Sequence, residues 1–244
     1  MSSGTAADIE AELASHAITA DGTFLAGFFK TGAGQYGEGD VFIGVRVPQI
    51  RAACKVYKSL PLAEIQKLLD SKVHEYRLAA VILLSNQYKQ ASEDERTTIF
   101  ELYLKNVRRG RVNNWDLVDS SAEFIIGPYL ATKPKDLLFE LAESDNLWQR
   151  RVAMLSSFAY IKQGDATVAL QLCETLLHDK QDLMHKAVGW MLREIGKRCD
   201  RALLLEFLDA HAHDMPRTTL RYAIEHLPPE QKQHYMQLKN KKPV

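Results

Sequence analysis

The chain has 244 residues, with 31 Lys and Arg balanced by 31 Asp and Glu, so its formal net charge is zero. Charged residues make up 25% and hydrophobic ones 46%, a globular composition that excludes intrinsic disorder, collagen-like repeats and a chain made only of coiled coil. Neutrality excludes a protein that is basic overall, but not one with a local basic face.

In chain order, apolar residues recurring at i, i+3, i+4 and i+7 predict helices over 5–19, 23–30, 48–58, 61–70, 74–90, 93–106, 114–126, 134–143, 146–162, 165–178, 181–198, 200–210, 216–226 and 229–238. Pro48, Pro61, Pro134, Pro216 and Pro229 fall where a first helical turn tolerates a missing N–H. Ser92, Asp145 and Gly164–Asp165 fall in connections, where caps and turns belong. Only Asp40–Val47 reads as strand, and it is too isolated to build a sheet. Gly32, Gly34 and Gly37 spell GxGxxG, but no strand precedes them, so 31–40 reads as a flexible loop and not as a dinucleotide site.

Longer helices begin near 74, 114, 146, 181 and 216, at steps of two-helix repeat units. The expected fold is all-α: one domain over 1–244, a curved α-solenoid of about six to seven HEAT-like helical pairs with a concave inner surface. Met1–His16 carries neither a basic nor an apolar leader region, which predicts no signal peptide. The longest apolar run, Ala79–Leu84, is far short of the roughly 20 residues a membrane span needs. Cys54, Cys173 and Cys199 are odd in number and far apart, so neither a zinc knuckle nor a disulfide framework is indicated. A cytoplasmic protein with reduced thiols is expected, with no metal site and no membrane partner.

Three predicted helices have unusual faces. On 181–198, Lys186, Trp190, Arg193 and Lys197 form a stripe opposite the apolar one of Val188, Leu192 and Ile195, with only Glu194 near its edge. Such a face is either solvated, with its Trp packed on a neighbour, or a nucleic-acid surface where cations meet phosphates and the ring meets a base or sugar. On 114–126, Trp115 and Asp119 share one side with small Ala122, which suggests a shallow polar notch. Just upstream, Lys105, Arg108, Arg109 and Arg111 form a loop-borne basic cluster suited to phosphate. On 146–162, Arg151 falls inside the apolar arc and requires a partner, either a buried carboxylate or a ligand phosphate, while Arg150 points to the polar side. Acidic residues gather at 92–95 and 134–145, so the neutral total predicts a molecule basic in the groove and acidic outside.

These stretches resemble the HEAT-like-repeat DNA alkylation repair family, the AlkD-like alkylpurine DNA glycosylases. The likeness is carried by Asn114-Trp-Asp-Leu-Val-Asp119-Ser, Ser144-Asp-Asn-Leu-Trp-Gln-Arg-Arg151 and His185-Lys-Ala-Val-Gly-Trp190-Met-Leu-Arg-Glu194. Phe42-Ile-Gly-Val-Arg-Val-Pro48 resembles the family's N-terminal entry and Arg221-Tyr-Ala-Ile-Glu-His226 its closing repeat. The Gly-rich loop and Arg46 stand where the family has a shorter connection.

The resemblance implies a monofunctional glycosylase that grips duplex DNA and removes cationic N3- or N7-alkylpurines without flipping the base into a pocket. It implies Asp119 as the catalytic carboxylate, Trp115 and Trp190 as the aromatics lining the lesion's sugar, and Arg151 as the cation at its backbone. Arg46, Arg108, Arg109, Arg111, Lys186, Arg193, Lys197 and Arg221 join Arg151 as expected DNA contacts. Neither metal nor organic cofactor is expected, and a monomer is expected because duplex DNA occupies the groove. The alternative is a non-catalytic HEAT-like module that binds structured DNA, RNA or protein.

Overall fold

A computed structural model describes residues 4–238, so the basic tail at Lys239–Lys242 lies outside the described residues. The described chain is all-helical and forms two compact units, divided between Tyr129 and Leu130.

The first unit holds α1 (Ala6–Ser15), α2 (Thr19–Phe28), α3 (Val47–Val56), α4 (Leu62–Asp70), α5 (His74–Gln90), α6 (Glu93–Arg108), α7 (Trp115–Asp119) and α8 (Ala122–Tyr129). Its axis is α5, which packs on α3, α4, α6, α7 and α8. That helix is apolar on every side from Leu78 to Leu84, as a helix surrounded by others must be. Its first turn breaks the pattern: His74, Glu75 and Arg77 are all buried. Glu75 is turned onto the connection before α3, where its carboxylate accepts the N–H groups of Ile43 (3.1 Å), Gly44 (2.8 Å) and Val45 (3.3 Å). Gly44 fits there because its φ is +85° and a Cβ would lie 2.1 Å from the Ile18 carbonyl oxygen.

The strand-like reading of 40–47 reduces to one parallel bridge between Val41 and Val73, because Gly44 and the Glu75 carboxylate curl the chain away after one pair. Residues 31–40 fold as turns, closed by the Gly37 N–H on the Lys30 carbonyl (3.0 Å).

The second unit holds α9 (Asp136–Ala142), α10 (Leu147–Ser156), α11 (Phe158–Ile161), α12 (Thr167–Thr175), α13 (Asp182–Arg198), α14 (Arg201–His211), α15 (Arg217–Ala223) and α16 (Pro229–Leu238). Here α13 is central and packs on α10, α11, α12, α14 and α15. Gly189 lets α15 approach: a Cβ would meet the Thr219 carbonyl oxygen at 2.5 Å and the Tyr222 Cβ at 2.6 Å. Val188, Leu192 and Ile195 are fully buried, as their stripe predicts.

Two predicted helices are interrupted, both at a Ser–Ser pair. The segment 114–126 splits at Ser120–Ser121 into α7 and α8. The buried Ser121 hydroxyl donates to the Leu117 carbonyl (2.6 Å) and bonds the Tyr103 hydroxyl (2.7 Å), while Ser85 donates to the Ser120 carbonyl (3.2 Å). The segment 146–162 splits at Ser156–Ser157, where Ser156 donates to the Val152 carbonyl and Ser157 to that of Met154, both at 2.6 Å. Side-chain hydroxyls that take up helix carbonyls bend or stop a helix, and side chains from other helices hold the first break in place.

Candidate functional site

Asn114 opens α7 from a strained backbone (φ 76°, ψ 150°), a region populated almost only by glycine and held here by its surroundings. Its side-chain oxygen accepts the Trp115 N–H (3.0 Å) and its amide donates to the Phe29 carbonyl (3.5 Å). Trp115 is therefore set against α2. Its ring stacks on Phe29 at 5.2 Å and meets the edge of Phe28 at 6.2 Å. Phe29 stacks on Phe42 (5.0 Å), and Phe42 on the His74 imidazole (4.4 Å). At the outer end Phe24 and Phe28 stack on each other while more than half exposed. The rings form a ladder from solvent to the first turn of α5.

Asp119 lies one turn from Trp115 on α7; both are half-buried, and the Asp119 charge reaches Tyr103. Burial first, and that charge after it, push the Tyr103 hydroxyl up, so it stays protonated. Ala122, expected beside an open notch, is instead fully buried at the start of α8.

The ladder ends on a group of buried charges that the sequence reading missed. His74 Nδ1 lies 3.2 Å from Asp40 Oδ2, and its Nε2 lies 2.8 Å from Asp116 Oδ2. Asp40 Oδ1 accepts from Arg77 Nη2 (2.6 Å) and from the Asn113 amide (2.9 Å). Burial alone would raise the Asp40 carboxyl, but bonds from His74 and Asn113 and the Arg77 charge bring it below its usual range. Next to this group a cleft of about 300 Å³ is walled by Leu25, Phe29, Phe42 and Val45, with His74 and Asp116 also lining it. A run of polar residues opening an otherwise apolar helix was the available signal.

The second unit carries Arg151 and Trp190. Arg151 is buried, as its place in the apolar arc requires, and its Nη1 donates to the Leu183 carbonyl (2.6 Å) at the start of α13. Neither a carboxylate nor a phosphate is needed at that nitrogen. Arg150 does not point to the polar side: it forms a largely buried two-point pair with Asp179 (2.6 and 3.3 Å) and also donates to the Ser144 and Asp145 carbonyls. Trp190 is half-buried, edge-on to Phe158 at 5.6 Å, so it lies off the core stripe as expected.

Two of its neighbouring cations, Lys186 and Arg193, pair with acids. Lys186 pairs with Asp182 (2.8 Å), and Arg193 with Glu225 and with Glu194 (3.4 Å). Glu194 is buried, not peripheral, and also holds Arg198 (2.6 Å). Lys197 and Arg221 are exposed. In the first unit Arg46 forms a two-point pair with Asp21 (2.9 and 3.1 Å), and Arg109 pairs with Asp70 (3.0 Å). The basic cluster is not a loop: α6 runs on to Arg108, where Lys105 and Arg108 suit the negative end of the helix dipole. Arg111 follows in the connection and opposes the charge of Arg77.

The model of the family described as "DNA alkylation repair enzyme" matches residues 9–227 of this chain. The chain belongs to that family. A solved structure described as a predicted DNA alkylation repair enzyme from Enterococcus faecalis is similar in fold, with a TM-score of 0.68 and 18% identity over 86% of this chain and 96% of that one. No curated protein matches. The DNA alkylation repair family is a family of repair enzymes whose substrate is DNA. No helix among the described residues is long and apolar enough to cross a membrane, and none of their His, Cys, Asp and Glu side chains group as a metal site.

Proposed function

We propose that this member of the DNA alkylation repair family is a monofunctional glycosylase. It hydrolyses the N-glycosidic bond of cationic N3- and N7-alkylated purines in duplex DNA, without flipping the base into a pocket, and leaves an abasic site. The observation that carries this reading is the Trp115–Asp119 pair: a carboxylate and an aromatic ring on one short helix, both partly open to solvent, the ring stacked on Phe29.

The chemistry suits that pair. Alkylation at N3 or N7 places positive charge on the purine, which makes the base a good leaving group before any proton is added. As the bond lengthens, positive charge grows on the deoxyribose, as in glycoside hydrolysis. Asp119 stabilises that charge and orients the attacking water. The electron-rich face of Trp115 favours the same charge, and Trp190 serves likewise. Arg151 takes the phosphate role, from a buried position beside the start of α13. Arg46, Arg108, Arg109, Arg111, Lys186, Arg193, Lys197 and Arg221 supply phosphate contacts. Those already paired with a carboxylate exchange that partner for a phosphate on binding, which lowers the net gain from each. The scheme needs no metal or organic cofactor, because the substrate brings its own activating charge. A cytoplasmic monomer acting on duplex DNA completes the reading.

The test is release of free 7-methylguanine from methylated duplex DNA. Asp119→Asn is expected to lower release to the uncatalysed level while salt-sensitive DNA binding survives. Equal release by variant and wild type overturns Asp119 as the catalytic carboxylate. Binding without release by the wild type favours a non-catalytic nucleic-acid module.

A further inference from the structure

Asp116 directly follows Trp115 and lies three residues before Asp119, so whatever fixes Asp116 fixes the first turn of α7. It makes two bonds. Oδ1 accepts the Leu117 N–H of its own helix (3.0 Å), and Oδ2 meets His74 Nε2 at 2.8 Å. The other nitrogen of the same ring meets Asp40 Oδ2 at 3.2 Å. An ionised carboxylate only accepts hydrogen bonds, and a neutral imidazole has one N–H. Only the imidazolium donates to both carboxylates; a neutral ring turns a lone pair onto one of them.

We propose that His74 is a positioning residue for the lesion site: its imidazolium clasps α7 to the α2–α3 connection and so sets Trp115 and Asp119, and the site loosens when that proton leaves. The proposal rests on the reading of Trp115 and Asp119 as the working pair.

Charges face His74 from each element around it. Asp40 comes from the α2–α3 connection and Asp116 from α7, while Arg77 and Glu75 come from α5. Arg111 lies beyond Arg77. Arg46, at the mouth of the cleft, is paired with Asp21. Glu75 is turned to the backbone of 43–45. Two carboxylates therefore meet the ring directly, against one nearby guanidinium. Burial works against the imidazolium, but the Asp116 charge and bond together with the Asp40 bond outweigh it, and the pKa of His74 is raised. Because the folded value lies above the ordinary one of about 6.5, the stabilisation is complete below that value and is lost as pH rises through the folded pKa.

Two measurements on the full chain test this. The first follows the His74 imidazole and the Trp115 indole N–H by NMR through a pH titration, and needs no enzymatic activity. His74 is expected to titrate above its ordinary range, with the Trp115 signal moving at the same midpoint. In Asp116→Asn the amide donates to a neutral ring while the remaining imidazole N–H serves Asp40, so the clasp persists without the proton and the Trp115 shift disappears. A Trp115 signal that stays flat while His74 titrates, or that moves identically in Asp116→Asn, overturns the proposal.

The second measurement is the pH profile of 7-methylguanine release under single turnover. The wild type is expected to lose activity above the His74 midpoint by up to about tenfold per pH unit, and Asp116→Asn to show no such fall. A fall shared by both proteins also overturns the positioning role. Absence of release at every pH would count against the glycosylase reading alone, since the spectroscopic result stands apart from it.

Discussion

Trp115 and Trp190 are the two aromatic rings that the sequence placed on polar faces, and the two units treat them differently. Trp115 is stacked in a ladder that ends on buried charges, each held at two or more points. Trp190 leans on Phe158 among cations whose acid partners are mostly at the surface. A buried ion pair is strongly coupled to the fold because removing one member strands the other in low dielectric, whereas a surface pair is replaced by water at small cost. The first unit thus builds a fixed platform beneath its ring. The second presents charge that can be handed to another anion without disturbing the core.

That contrast can be broken most directly at the ion pairs. Arg77→Met leaves Asp40 with one cationic partner fewer in a setting where both side chains are at most 6% exposed. A loss of about 3–5 kcal/mol in urea-monitored stability is expected. Glu225→Gln removes the acid facing Arg193 from a side chain that is 53% exposed. It is expected to cost about 0–1 kcal/mol. Similar losses in the two variants would erase the distinction between the units. Gly189→Ala lies between these extremes: the added methyl group must push α15 from α13 at the Thr219 carbonyl, an overpacking cost of about 1–3 kcal/mol visible in thermal unfolding.

The helical period and the proline positions made the all-α architecture legible, since both are local. The breaks at Ser120–Ser121 and Ser156–Ser157 were not, because a serine pair is tolerated inside a helix. The first break is set by Ser85 and Tyr103, which lie 35 and 18 residues away in sequence. The Trp115–Asp119 spacing was legible and stays on one helix, but the buried Ala122 was not, because it follows from the break. Arg151 was correctly read as buried, while its bond to a backbone carbonyl had no signature in side-chain types. The basic face of α13 was overstated for a simpler reason. Only Glu194 was set against the cations of 181–198, but Asp182, one turn upstream of Lys186, pairs with it, and Glu225 reaches Arg193 from the turn after α15.

Lys197 is exposed on the last turn of α13, beside a cleft of about 330 Å³ that it lines with Arg193, Arg201 and His226. If this surface contacts DNA, each phosphate neutralised releases condensed counterions, and the slope of log K against log salt falls by about 0.9 per contact. Lys197→Ala should then leave folding stability within about 0.5 kcal/mol of wild type, as for an ordinary surface substitution, while reducing that slope by roughly one. Arg193→Ala should do less than its exposed neighbour, because its charge is already shared with Glu225 and Glu194 and fewer counterions need leave when DNA binds. A slope change at Arg193 as large as that at Lys197 would mean that exchanging Glu225 and Glu194 for a phosphate costs nothing, and that the pairs on α13 do not weaken the contact made there.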